Sequence, residues 1–217
     1  MILETSAIVL AGGESKRFHS NKALADWHGE PLLSHIVRNL KSLFSEILVV
    51  SKTPKLYPFV QSLGARLVTD YFSSHHALGG LYSGLVETQK PYSFLCACDM
   101  PLIQPELIRL ISQFKKNYKA VVPVWQGFPE PLCAFYSKEC LKTLEKSLKE
   151  KRYELQNFLC EIPAYFLSEE KIRIADPDGL SFKDIDTPSD YATLSPFSSK
   201  KPHPRSSPPT RLMQNPG

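Results

Sequence analysis

The sequence predicts an α/β fold of three layers, a mostly parallel central sheet covered by helices on both faces. Three observations predict it. Short apolar runs alternate along the chain with stretches whose apolar residues recur at helical spacing. The runs are apolar on both faces rather than alternating, as strands buried between two helical layers must be. The chain's 217 residues suffice for one domain with a substantial core.

The first run, "AIVL" (7–10), reads as a buried strand. Pro31 then opens a helix, where its fixed φ costs nothing, and Leu32, Leu33, Ile36, Val37 and Leu40 form one apolar face. "EILVV" (46–50) is the second strand, Thr53 to Leu63 a helix and "ARLVT" (65–69) the third strand. Gly79 to Thr88 reads as a helix and "YSFLCAC" (92–98) as the fourth strand. Pro105 starts a helix carrying Leu107, Ile108, Leu110 and Ile111, and "AVVPV" (120–124) is the fifth strand. The rhythm then changes. A strand at "PLCAFYS" (131–137) precedes an amphipathic helix through Leu141, Leu144 and Leu148, a short helix at 155–159 and a strand at "AYFL" (164–167). "FKDID" (182–186) leads into a last helix with Thr187 as cap and Pro188 at its first position.

The expected organisation is a domain over 1–194 followed by a tail, 195–217, with six prolines and almost no apolar residues, expected to be disordered. That tail holds Lys200, Lys201, Arg205, Arg211 and no acid. Without those four of the 26 basic residues, the body has 22 basic against 22 acidic. The net charge of +4 therefore marks the tail and predicts no nucleic-acid-binding face. No apolar run approaches the roughly 20 residues of a membrane span, and "MILETSAIVLAGG" lacks a basic leader region. The five cysteines are odd in number and none stands in a C-x-x-C pair, which fits small core residues in a reducing compartment. The expected location is the cytoplasm, with no membrane partner.

In an open α/β sheet ligands bind outside the carboxyl ends of the strands. The first strand is followed by Gly12, Gly13, Lys16, Arg17 and Lys22, the second by Ser51, the third by Asp70 and the fourth by Asp99. The glycine loop is not G-x-x-x-x-G-K-[ST], since Asn21 precedes Lys22, and it lacks the third glycine of G-x-G-x-x-G. Taken alone it is either a phosphate cradle or a tight turn with solvated cations. In "CDMP" (98–101), a carboxylate at the end of a buried strand calls for a cation or a hydrogen-bond partner, commonly Mg²⁺ in phosphate chemistry. Asp70 reads equally as a site residue or a turn former. Asp184 and Asp186 share one face of an extended segment, either as metal ligands or as a solvated helix entry.

Five segments together resemble a known family. "LAGGESKRFHSNKAL" is similar to L-A-G-G-x-S-x-R-M-G-x-D-K-x-L of MobA-like nucleotidyltransferases. "FLCACDMPLIQPELI", "HALGGLYSGL", "EPLCAFYS" and "DIDTPSDY" resemble that family's later elements. The resemblance spans residues 5–194, and the nearest branch is the molybdenum cofactor guanylyltransferases. It implies a Rossmann-like α/β/α fold and Mg²⁺-dependent transfer of GMP from GTP to the terminal phosphate of molybdopterin, with release of pyrophosphate. By position, Leu10, Ala11, Gly12 and Gly13 would meet the nucleotide through their backbone. Arg17 and Lys22 would neutralise the triphosphate, and Ser51 and Asp70 would lie near the nucleoside. Asp99 would hold the metal, with Asp186 as a second ligand. The pterin would lie near Glu130 and Pro131, and the implied partners are cofactor-biosynthesis and acceptor enzymes. The chain departs from the pattern at His19, Asn21, His76, Ala77, Asp184 and Asp186. Two other readings stay open: transfer of another nucleotide, cytidylyl included, to a pterin, sugar or alcohol phosphate, and a non-catalytic nucleotide- or cofactor-binding protein.

Overall fold

The computed structural model describes residues 2, 4–12, 21–72, 76–185, 187, 190, 193 and 194. Its elements in chain order begin with β1 (Thr5–Leu10), β2 (Asp26–Trp27), β3 (Glu30–Pro31), α1 (Leu32–Lys41) and β4 (Ile47–Ser51). Then come α2 (Phe59–Ser62), β5 (Arg66–Thr69), α3 (Ala77–Glu87), β6 (Tyr92–Ala97) and α4 (Pro105–Ser112). The second half holds β7 (Ala120–Trp125), β8 (Phe128–Pro129), β9 (Cys133–Ser137), α5 (Leu141–Lys149), α6 (Leu155–Leu159), β10 (Ala164–Leu167) and α7 (Glu169–Ala175).

The described strands of the main sheet run β5-β4-β1-β6-β9-β7-β10, with β8 attached to β7. β1 lies parallel between β4 and β6, β5 is parallel to β4, and β10 is parallel to β7. β9 is inserted antiparallel between β6 and β7. That reversal matters for the site. Cys96 pairs with Cys133, so the chain entering β9 through Glu130 and Pro131 meets the chain leaving β6 toward Asp99 at one edge.

The doubly apolar strands do what their composition predicts. Ala7, Val9, Val49, Phe94, Cys96 and Phe135 turn to one face, where Leu33, Ile36, Val37 and Leu40 of α1 meet Leu107, Ile108 and Ile111 of α4 and Ile172 of α7. Ile8, Leu48, Leu95, Ala134 and Tyr136 turn to the other, against Leu81 and Leu85 of α3, Leu144 of α5 and Phe158 of α6. Three layers result. Cys96, Cys98, Cys133 and Cys140 are buried as reduced thiols and Cys160 is exposed, with no disulfide among them. Burial holds the Cys98 thiol up at about 12, so it stays protonated.

One element departs from the sequence reading. The helix expected over 53–63 is divided into a 3₁₀ turn, Pro54–Leu56, and the single turn α2. Pro58 removes an N–H and forces the residue before it out of the helical region, and Tyr57 accordingly lies at φ −124° and ψ 47°. The β2–β3 hairpin, the β8 pairing and α7 carry too few residues to show a period. No helix among the described residues is long and apolar enough to cross a membrane.

Candidate active site

The carboxyl ends of the strands surround an open cavity of about 720 Å³. Its floor is the backbone of Leu10, Ala11 and Gly12 leaving β1. One wall carries Ser51, Asp70 and His76, and the other carries Asp99, Glu130 and Asp184. Lys22 lines it as well. Residues separated by more than 150 positions thus converge because each follows a strand at the same sheet edge, or packs on one that does.

Across this cavity Lys22 Nζ donates to Asp99 Oδ2 at 3.1 Å, with the two side chains 16% and 23% exposed. Each group is brought there by local chemistry. Lys22 opens a 3₁₀ turn (Lys22–Leu24) capped by Asn21, whose Oδ1 accepts from Ala23 N at 3.1 Å. Asp99 stands two residues beyond the end of β6, and its carbonyl accepts from Ile185 N at 2.9 Å. Ile185 is buried beside Trp27, Leu102 and Leu194. That anchor carries Asp184 to the cavity wall. The preceding turn is held by Asp176, whose buried carboxylate accepts from Leu180 N at 2.9 Å and Ser181 N at 2.8 Å.

Asp70 is a turn former and a cavity residue at once: its Oδ1 accepts from Phe72 N at 3.1 Å and from Ser83 Oγ at 3.0 Å. His76 caps α3, its Nδ1 accepting from Gly79 N at 2.9 Å. The ring stacks on Tyr153 with centroids 4.2 Å apart. Burial lowers its pKa, partly offset by Asp70, and the accepting Nδ1 requires the neutral imidazole. Glu130 is a perturbed carboxyl of the cavity. Burial, and secondarily the charge of Asp184, raise it from 4.5 to about 7.

Oxygen donors therefore face a lysine ammonium around one space, an arrangement suited to an anionic substrate that brings its own divalent cation. Among the described residues no group of three His, Cys, Asp or Glu could enclose a metal. Mg²⁺ fits such a site nonetheless, since it is ordinarily held by one or two carboxylates plus substrate phosphates.

Comparison with known proteins gives this cavity a lineage. The family model described as the MobA-like NTP transferase domain matches residues 7–162, from β1 through the end of α6. The chain belongs to the MobA-like NTP transferase family. It is similar to a protein named molybdenum cofactor guanylyltransferase from Desulfosudis oleivorans, 33% identical over 84% of this chain and 90% of that one. A protein of the same name from Syntrophotalea carbinolica is also 33% identical, over 86% of this chain and 88% of its own length. Among solved structures, the molybdopterin-guanine dinucleotide biosynthesis protein A of Archaeoglobus fulgidus superposes with a TM-score of 0.78. It is 23% identical and covered over its whole length by 90% of this chain, a likeness that shows the fold.

Within this MobA-like domain the structure brings Leu10, Ala11, Gly12, Lys22, Ser51, Asp70 and Asp99 to one cavity. Gly13, Arg17, His19 and Asp186 lie outside the described residues. Sequence reasoning placed Glu130 and Asp184 in separate motifs and did not see that the charge of one reaches the other. It missed Tyr57 altogether, which sits in a polar, proline-flanked segment without a period. His76 stood out only as a departure from the family pattern, and its spacing three residues before Gly79 was the available sign of a cap.

Proposed function

We propose that this chain transfers GMP from GTP to the terminal phosphate of molybdopterin and releases pyrophosphate. The observation that carries the reading is the Lys22–Asp99 pair across the cavity at the carboxyl ends of β1 and β6. Family membership supplies nucleotidyl transfer. The names borne by the relatives support the guanylyl group and the pterin acceptor.

The chemistry asks for charge management rather than a protein nucleophile. An oxygen of the acceptor phosphate attacks the α-phosphorus of GTP, the bond from that phosphorus to the bridging oxygen breaks, and pyrophosphate leaves with the electron pair. A phosphate monoester is already anionic near neutral pH, so no general base is needed. Lys22 neutralises charge on the triphosphate and the leaving group, with Arg17 proposed to share that work. The backbone of Leu10 to Gly13 approaches the nucleotide, and Ser51 and Asp70 border the nucleoside side. Asp99 would hold Mg²⁺, with Asp186 proposed as a second ligand; when bound, the ion supplies charge neutralisation and orientation at the α-phosphate. Preorganised charge of this kind accounts for much of the rate in such transfers. Glu130, half-protonated near neutrality, limits the negative charge that it and Asp184 present to the incoming phosphate.

The proposed arrangement is a catalytic domain over 1–194 with 195–217 as an appendage, working in the cytoplasm. The unpaired thiols support a reducing compartment. Hand-over of the product to acceptor enzymes follows from its chemistry as a cofactor.

Pyrophosphate release from each of the four nucleoside triphosphates, with molybdopterin and Mg²⁺, tests the reading. GTP is expected to be preferred, and Asp99→Asn to lower turnover at least 100-fold with the fold intact. Preference for CTP would replace the guanylyl assignment. Nucleotide binding with no pyrophosphate from any substrate would make the chain a binding protein.

A further inference from the structure

We infer that Asn21 and Tyr57 are positioning residues for this transfer: they form a brace that holds the turn carrying Lys22 against the apolar core. The inference rests on the reading above, in which Lys22 meets the triphosphate.

Asn21 uses both ends of its amide. Its Oδ1 closes the Lys22–Leu24 turn by accepting from Ala23 N, and its Nδ2 donates to Tyr57 Oη at 2.7 Å. Tyr57 is 1% exposed and packs in the core cluster that also contains Ala23 and Val60, so its ring cannot follow a moving partner. The segment that carries Tyr57 follows Ser51, the last residue of β4. Ser51 Oγ is fixed in turn, accepting from Thr53 N at 3.1 Å. It also abuts the floor of the cavity, where a Cβ on Gly12 would lie 3.6 Å from it. One core phenol therefore anchors the lysine turn.

The brace is a property of this chain's own residues. The family pattern L-A-G-G-x-S-x-R-M-G-x-D-K-x-L has Asp where Asn21 stands. A carboxylate could keep the cap but has no proton to donate. It would have to accept a hydrogen bond from the Tyr57 hydroxyl instead of donating one, and would add an anion one residue from Lys22. With Asn, the phenol receives its hydrogen bond without that added charge. Lys22 is then set by a network anchored in the core instead of by its own flexible stem.

Two variants test this by coupling. Tyr57→Phe keeps the ring and removes the hydroxyl. Asn21→Ser keeps a cap acceptor and removes the amide N–H that reaches Tyr57, the serine hydroxyl being too short to replace it. Each is expected to lower kcat/KM for GTP roughly tenfold, the size of one hydrogen bond lost from a buried network, and the pair together to lose no more than either alone. In a Lys22→Ala background, Tyr57→Phe is expected to cost less than about twofold, because the group it positions is gone. GTP affinity by titration reads the same coupling if turnover there is too slow, and thermal midpoints establish that every variant folds. Equal losses with and without Lys22, in an active protein, overturn the brace and leave the transfer reading intact. A wild type that neither binds GTP nor releases pyrophosphate overturns the transfer reading, and the brace with it.

Discussion

Glu130→Gln replaces a cavity carboxyl whose ionisation the fold opposes with a neutral group of nearly the same shape. In the folded protein the carboxyl is raised from 4.5 to about 7, first by burial and then by Asp184. A folded value above the unfolded one means that the folded state binds the proton more tightly. The stability this brings is complete below pH 4.5 and is lost as pH rises through 7. At 1.36 kcal/mol per decade, ionised Glu130 costs the fold a ceiling of about 3 kcal/mol. Water entering the open cavity lowers that to about 1–3 kcal/mol. Glutamine does not ionise, so the variant should match the wild type near pH 4.5, gain through pH 5–7, and hold a constant advantage above about pH 8. For a chain of 217 residues that advantage is a rise in melting temperature of roughly 2–10 °C. Thermal unfolding followed by circular dichroism between pH 4.5 and 8.5 measures it. A difference that does not change with pH, or a variant less stable at pH 8, refutes the argument that burial sets this carboxyl.

Two further outcomes follow from packing. A Cβ at Gly84 would lie 2.6 to 2.9 Å from three carbons of Ile8, which is fully buried in β1. Gly84→Ala should therefore cost about 1–3 kcal/mol in urea unfolding despite the better helix propensity of alanine; a stabilised variant would show that α3 does not need glycine to approach β1. Truncation after Leu194 removes the four basic residues of the tail but keeps Leu194 packed with Trp27, Leu32 and Ile185. It is expected to leave pyrophosphate release and melting temperature unchanged within error, and a large loss in either would give the tail a part in the domain.

The strands at 7–10, 46–50 and 92–98 were legible because a strand covered on both faces must be apolar throughout. The structure places β1, β4 and β6 over those runs. The motif residues were legible for a related reason. Lys22 belongs to the segment that a glycine pair opens after the first apolar run, and Asp99 stands two residues before a proline at the end of the fourth, signals that mark where a chain turns at a sheet edge. Periodicity and punctuation, both local, therefore determined the three layers and the side of the sheet that carries the site. Nothing local determines distance between segments. The sequence by itself did not show β9 reversed between β6 and β7, which sets Glu130 at the same edge as Asp99. Nor did it show the raised carboxyl at Glu130, which depends on how much water the assembled wall excludes and on Asp184 arriving from 54 positions away. The hydrogen bond from Asn21 to the core phenol of Tyr57 belongs with these. Hydrogen bonding and desolvation act over a few ångströms of space, and only the packed chain decides which groups share them.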